Sequence, residues 1–198
     1  MSTAMSVDEA CAAAEAAQQW YADTDLQTRA SLLEAIADAV DAARDDLVPI
    51  AVEESRLGVD RLTGEVGRTT GQLRLMAQVV RDGAFLGVVL DTALPETTPP
   101  RPDLRRMNVP LGPVAVFAAS NFPFAFSTLG GDTASALAAG CTVVVKPNPG
   151  HPRLSDAIMA VAQQALADAG APRGVLTMVS HGLQDGIDLV THDLGHES

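Results

Sequence analysis

The order of hydrophobic runs in this chain predicts an α/β fold: an N-terminal helical layer followed by a truncated, doubly wound (Rossmann-like) parallel sheet. Three observations predict it. Residues 114–119 (VAVFAA) form a short apolar run behind Gly112-Pro113, as a fully buried strand requires. Residues 142–145 (TVVV) form a second, β-branched run, and residues 124–139 between them carry Phe126, Leu129, Thr133 and Leu137 on one helical face. A further helical pattern and a third run at residues 174–179 complete βαβαβ, one mononucleotide-binding half of a doubly wound sheet.

In chain order, Ser6-Val7-Asp8-Glu9 has the spacing of a capping box and predicts a first helix to about Trp20. Leu26, Leu33, Ile36, Val40 and Leu47 recur at helical spacing and predict a second helix over residues 24–47. Pro49 is expected to break it, before a short helix to Leu57 that Gly58 caps. Residues 60–83 are helical again, with Gly64, Gly67 and Gly71 each costing about 1 kcal/mol. Those glycines mark either a close approach by another helix or a loose helix. Residues 85–90 and 104–109 predict a long-looped hairpin across a connector, residues 95–102 (PETTPPRP), whose prolines exclude helix and central strand. Arg101, Arg105 and Arg106 form the one basic cluster and read as a solvated strand face or a subunit contact. Gly140 is expected to cap the crossover helix. Pro152 suits a first helical position, Leu154, Ile158, Val161, Ala165 and Leu166 continue as an apolar stripe, and Gly170 ends that helix. Residues 183–191 begin a last one. The resulting division is 1–84, a helical segment; 85–109, hairpin and Pro-rich connector; 110–191, the first half of a coenzyme-binding domain; and 192–198, an irregular tail.

A formal charge of −12 argues against nucleic acid or an anionic membrane as partner, because both need clustered Lys and Arg. No run approaches a membrane span, and the acidic N-terminus lacks a secretory pattern, so a soluble cytoplasmic protein is expected. Cys11 and Cys141 are too few and too far apart for a disulfide framework or a metal site, and both read as buried and inert. His192 and His196 are four residues apart without a third ligand nearby and read as tail residues, so no metal is expected.

Two residues carry chemistry on local pattern. Asn121 sits at the corner Ser120-Asn121-Phe122-Pro123, either as a turn-former or as an amide donor to a developing oxyanion. Lys146 leaves three consecutive valines and either reaches to water or binds a nucleotide's ribose or phosphate. Both follow strands at the carboxyl edge, where open α/β sheets bind ligands, and are expected to face a shared pocket. Gly130-Gly131 completes neither G-x-G-x-x-G nor G-x-x-x-x-G-K, so a nucleotide would dock in some other mode.

VPLGPVAVFAASNFPFAFSTLGGDTASALAAGCTVVVKPNPGHP, with the upstream LTGEVGRTTGQLR and RPDLRRM, resembles the aldehyde dehydrogenase superfamily, and the likeness runs from the N-terminal helices to about Thr191. The upstream pieces, with Ser120 where many relatives carry Trp, look most like the α-ketoglutarate semialdehyde (2,5-dioxovalerate) dehydrogenase branch. The resemblance implies a subunit with a coenzyme domain, a catalytic domain and an oligomerising β-arm, and a homo-oligomer for the full-length form. In the family a cysteine thiolate attacks the aldehyde, an asparagine matched by Asn121 stabilises the oxyanion, hydride passes to the nicotinamide and a glutamate activates water. The backbone of Phe117, Ala118, Ala119 and Ser120 would line the nicotinamide side, and Lys146 would reach the adenosine ribose. Where NAD-preferring relatives often place a glutamate, this chain has Pro149, which leaves room for a 2′-phosphate and implies NADP, with NAD possible.

Enzymes of this kind run to roughly twice this length or more. The sequence ends before the glutamate, the nucleophilic cysteine and the catalytic domain, so a fragment inactive by itself is expected. The alternative is a non-catalytic module that binds a nucleotide or docks on a full-length subunit. Three strands of an expected five would leave one sheet edge uncovered and favour association.

Overall fold

The computed structural model describes residues 4–192. Helix α1 (Val7–Ala22) starts on the capping box: the Ser6 hydroxyl accepts the Glu9 N–H at 3.3 Å, and the Glu9 carboxylate accepts the Ser6 N–H at 3.1 Å. Helix α2 (Leu26–Ala42) is capped by Asp25, whose carboxylate accepts the Thr28 N–H at 2.9 Å. The expected single helix over residues 24–47 is in fact two, and the break falls at Ala43 rather than at Pro49. Pro49 lies inside α3 (Arg44–Ser55), where burial of Leu47, Val48 and Ala51 outweighs the one backbone bond a proline removes. Arg56, in the left-handed region at φ 60°, ends α3, and Gly58 is the N-cap of the next helix rather than a C-cap.

Helix α4 (Val59–Asp82) packs along α2, closing Leu62, Val66, Leu73, Ala77 and Val80 over Leu33, Ile36 and Val40. A Cβ added at Gly64, Gly67 or Gly71 would meet nothing within 4 Å, so among the described residues no helix approaches there. The strand expected at residues 85–90 is displaced: Gly83 and Gly87, both at positive φ, bound a 3₁₀ turn at Ala84–Leu86. Strand β1 (Val89–Asp91) follows and pairs antiparallel with β2 (Leu104–Arg106), Val89 opposite Arg106, as an exposed hairpin.

The main sheet is parallel, in the order β3 (Val114–Phe117), β4 (Val143–Lys146), β5 (Leu176–Met178). Its two faces follow the period-2 rule along β4. Val143 and Val145 join a core built with α2, α4 and α6 (Pro152–Asp168), whereas Val144 faces Val7, Ala10, Cys11 and Ala14 of α1. The Thr142 hydroxyl donates to the Ala14 carbonyl at 3.0 Å, stitching α1 to that second face. The α6 stripe holds at Leu154, Ile158 and Leu166, but Val161 and Ala165 are half-buried, with Met159 and Ala162 in their place.

The crossover helix α5 (Gly131–Ala138) is half the expected length. Residues 124–130 turn instead, because Gly130 lets the chain fold back on itself: a Cβ there would sit 2.6 Å from the Ala125 carbonyl oxygen. Phe126 is consequently 44% exposed rather than on a buried face. Gly140, at φ 90°, closes α5 as expected. The third strand is shorter than residues 174–179, its start taken by a 3₁₀ turn at Arg173–Val175, and α7 (Leu183–Thr191) then crosses the carboxyl edge. No helix among the described residues is long and apolar enough to cross a membrane. His196 lies outside the described residues; His192 approaches Asp8 at 3.5 Å.

Candidate active site

Phe117 and Lys146 are register partners at the ends of β3 and β4, so both segments leave the sheet at the same edge. The ladder runs one step further, with the Ala118 N–H donating to the Lys146 carbonyl at 3.0 Å. Beyond that edge, α7 closes a cleft of about 650 Å³. Phe117, Ala118, Lys146 and Pro149 line one side of it, and His181, Leu183, Gly186 and Ile187 the other.

Lys146 is the chain's sole lysine and is buried, 8% exposed. Its ammonium donates to the Pro147 carbonyl at 2.8 Å and to the His181 carbonyl at 3.4 Å. Burial holds its pKa below the ordinary lysine value, and the charge of Asp185 works the other way. α7 can pass this closely because residue 186 is glycine: a Cβ there would meet the Lys146 side chain at 3.3 Å. Two of the ammonium's three N–H donors are engaged by carbonyls, which leaves one for a ligand oxygen. A buried, partly solvated cation in an apolar cleft suits the ribose and phosphate end of a nicotinamide coenzyme, so the residues present fit that group.

Ala119, Ser120 and Asn121 follow directly on the chain but are not among the residues lining the cleft. Asn148 fixes this exit by donating its side-chain amide to the Ala118 carbonyl at 3.0 Å. His151, 1% exposed, places Nε2 at 3.2 Å from the Ala119 carbonyl oxygen. That oxygen only accepts, which assigns a proton to Nε2, while Nδ1 lies 3.3 Å from the Ser155 Oγ, whose hydroxyl donates to the His151 carbonyl at 3.1 Å. Asn121 is exposed at the corner, with its side-chain amide bonded to no group among the described residues.

The corner is gripped from α4. Arg61 donates to the Asn121 carbonyl at 2.8 Å, and its guanidinium lies 5.0 Å from the centre of the Phe122 ring. Glu65, 5% exposed, accepts the Phe124 N–H at 3.3 Å and pairs with Arg61 at 3.2 Å. The buried carboxylate is thus satisfied by one backbone donor and one guanidinium. One helical turn on, Arg68 lies over the Phe126 ring at 4.8 Å, and the two rings meet edge to face at 5.2 Å. Sequence reasoning missed Arg61, Glu65, Asn148 and His151. The signal available was an acidic residue on the buried face of α4, four residues after an arginine.

Cys11 and Cys141 are free and buried, and burial, with Asp8 and Glu15 nearby, pushes the Cys11 thiol up, opposite to what a nucleophile needs. Arg101, Arg105 and Arg106 lie exposed on the hairpin and its connector, away from the cleft.

The sequence pattern of the aldehyde dehydrogenase family matches residues 1–194. The chain is 51% identical over 188 residues to alpha-ketoglutaric semialdehyde dehydrogenase 2 of Azospirillum brasilense, covering 94% of this chain and 36% of that protein. It is 47% identical to alpha-ketoglutaric semialdehyde dehydrogenase of Acinetobacter baylyi, covering 95% of this chain and 36% of that protein. Among solved structures, the aldehyde dehydrogenase from Brucella melitensis biovar abortus 2308 superposes with a TM-score of 0.78 at 26% identity, over 95% of this chain and 36% of that one. The chain therefore spans about a third of the length of the relatives it matches. With that sequence match and a parallel sheet of the same architecture, the chain belongs to the aldehyde dehydrogenase family.

Proposed function

We propose that the chain supplies the coenzyme-binding and oxyanion-stabilising part of an NAD(P)-dependent dehydrogenase that oxidises a small semialdehyde, of the 2,5-dioxovalerate kind, to its carboxylate. The observation that carries this reading is the Phe117–Lys146 pairing, which delivers a buried ammonium and the Asn121 corner to one strand edge. The names of the Azospirillum and Acinetobacter relatives supply the substrate class.

The coenzyme, when bound, supplies the hydride acceptor. This chain's residues bind and orient. The backbone of Phe117, Ala118, Ala119 and Ser120 lines the nicotinamide side, Lys146 donates to the adenosine ribose, and Pro149 presents no carboxylate to repel a 2′-phosphate, so NADP is favoured over NAD. Asn121 holds an amide N–H₂ free for the oxygen that gains charge as the aldehyde carbon becomes tetrahedral. In this reading neither Cys11 nor Cys141 is the nucleophile, since both are buried and burial pushes the Cys11 thiol up, and the nucleophilic cysteine and general-base glutamate belong to the rest of the full-length enzyme. Residues 110–191 are then the first half of the coenzyme domain, in a homo-oligomeric, cytoplasmic enzyme.

The test is to join this chain to the remaining two-thirds of the Azospirillum relative and follow NAD(P)H absorbance with 2,5-dioxovalerate. Turnover is expected, with a higher kcat/KM for NADP⁺ than for NAD⁺. Asn121→Ala should lower kcat by about 10²–10³-fold, the effect of losing one oxyanion donor, and leave coenzyme affinity little changed. An unaltered kcat, with chemistry rate-limiting, removes Asn121 from this role; a preference for NAD⁺ removes the coenzyme assignment.

A further inference from the structure

We propose that Arg68 recognises a carboxylate on the substrate, at the end remote from the aldehyde, so that the site selects short ω-oxoacids over neutral aldehydes. This rests on Asn121 being the oxyanion donor. The first support is charge. The chain carries 25 acidic and 13 basic residues, and the other arginines of α4, namely Arg61, Arg74 and Arg81, are each paired with a carboxylate. Arg68, on the same helix, has no carboxylate partner among the described residues; its one recorded contact is the Phe126 ring, 4.8 Å from the guanidinium carbon. Arg68 is thus the arginine of α4 whose charge is open to an anion from outside the chain.

Geometry is the second support. The guanidinium rests over the Phe126 ring, and its N–H groups make no hydrogen bond among the described residues, so they are open to a carboxylate in two parallel hydrogen bonds. Phe126 meets Phe122 edge to face at 5.2 Å, and Phe122 is the residue after Asn121. An aldehyde at Asn121, a short alkyl chain over the two rings and a carboxylate at Arg68 follow this order along the surface. Space is the third. Positions 61, 64, 68 and 71 share one face of α4, and at Gly64, Gly67 and Gly71 a Cβ would meet nothing within 4 Å. The glycines leave the wall beside the guanidinium clear.

The experiment compares succinic semialdehyde with butanal, equal in carbon count but differing by the charge, in the joined protein described above. Arg68→Met should lower the ratio of their kcat/KM values by about 10–100-fold, the effect of losing hydrogen bonds to a charged group. Arg68→Lys, which keeps the charge but not the fork, should fall between. Glutarate should compete with succinic semialdehyde in the unsubstituted protein and not in R68M. An unmoved ratio, or an equal loss for both aldehydes, overturns the proposal. If the unsubstituted joined protein oxidises neither aldehyde, the dehydrogenase reading itself has failed, and the anion site is judged on this chain alone. Glutarate titrated into the ¹⁵N-labelled chain should then shift the Arg68 Nε–H and Phe126 amide resonances, and R68M should abolish the Phe126 shift; no shift in the unsubstituted chain overturns the site.

Discussion

Tyr21 is the only tyrosine in the chain and is 1% exposed, its hydroxyl donating to the Leu137 carbonyl at 2.9 Å. Burial raises its pKa well above the ordinary value, against the smaller opposing pull of Arg29, whose guanidinium lies 5.7 Å from the ring centre. The unfolded chain therefore releases this proton at lower pH than the folded one. The contribution of Tyr21 to stability is fully present below about pH 10 and is lost as pH rises from there toward the folded pKa. With a single tyrosine, the absorbance change of the phenolate reads this directly: a folded chain should show none near pH 10, and a midpoint near 10 would contradict the burial. Tyr21→Phe should remove that part of the alkaline loss and lower stability at pH 7 by about 1–2 kcal/mol, leaving the Leu137 carbonyl with its backbone donor from Gly140 but without the hydroxyl. Lys146 acts in the opposite sense: its depressed folded pKa makes stability rise with pH toward the ordinary lysine value. The difference between the Y21F and unsubstituted profiles isolates the tyrosine.

Among the elements, the corner between β3 and α5 bears most on the proposed function and was least legible. Helical periodicity at Phe126, Leu129, Thr133 and Leu137 was present, yet half of that stretch is not helix. Periodicity cannot show that a chain doubles back, which depends on contact between Gly130 and the Ala125–Phe126 backbone. Gly130→Ala would place a methyl 2.6 Å from the Ala125 oxygen and 2.7 Å from the Phe126 Cα, and should lower stability by about 1–3 kcal/mol in urea denaturation. Gly131→Ala, with nothing within 4 Å, is the control and should change it little. Equal effects would mean that the corner yields. Elements fixed by local chemistry were legible: the Ser6 capping box and the valine run of β4 each appear at the expected place. Pro49 misled because a tertiary gain, α3 burying Leu47 and Val48, overrode a local rule.

For the whole molecule, motif resemblance singled out residues at the sheet edge but not the residues of α4 that hold the corner. Glu65 and Arg61 act across 59 and 60 positions of sequence, on the Phe124 N–H and the Asn121 carbonyl, and only the folded chain brings them there. The sheet has two outer strands in different circumstances. Met5 lies along β5, its N–H donating to the Met178 carbonyl at 2.9 Å and its backbone bridging Val179. On β3, the N–H groups of Val114 and Ala118 point inward to β4, so those of Ala115 and Phe117 point away from the sheet, with no strand beside them among the described residues. Self-association of this chain should therefore run through β3. Sedimentation should show it at micromolar concentration, and Ala115→Pro, which deletes an outward donor at an edge position where proline is tolerated, should abolish it. Persistence of the complex in A115P would place the contact elsewhere.

Such association is self-limiting. Two copies meeting along β3 about a twofold axis form one continuous six-stranded sheet whose outer flanks are both β5, each bridged at Val179 by Met5, so the β3 edge that drives association is used up within the pair. Growth ends at the pair, and the species to look for is a discrete dimer rather than a fibre.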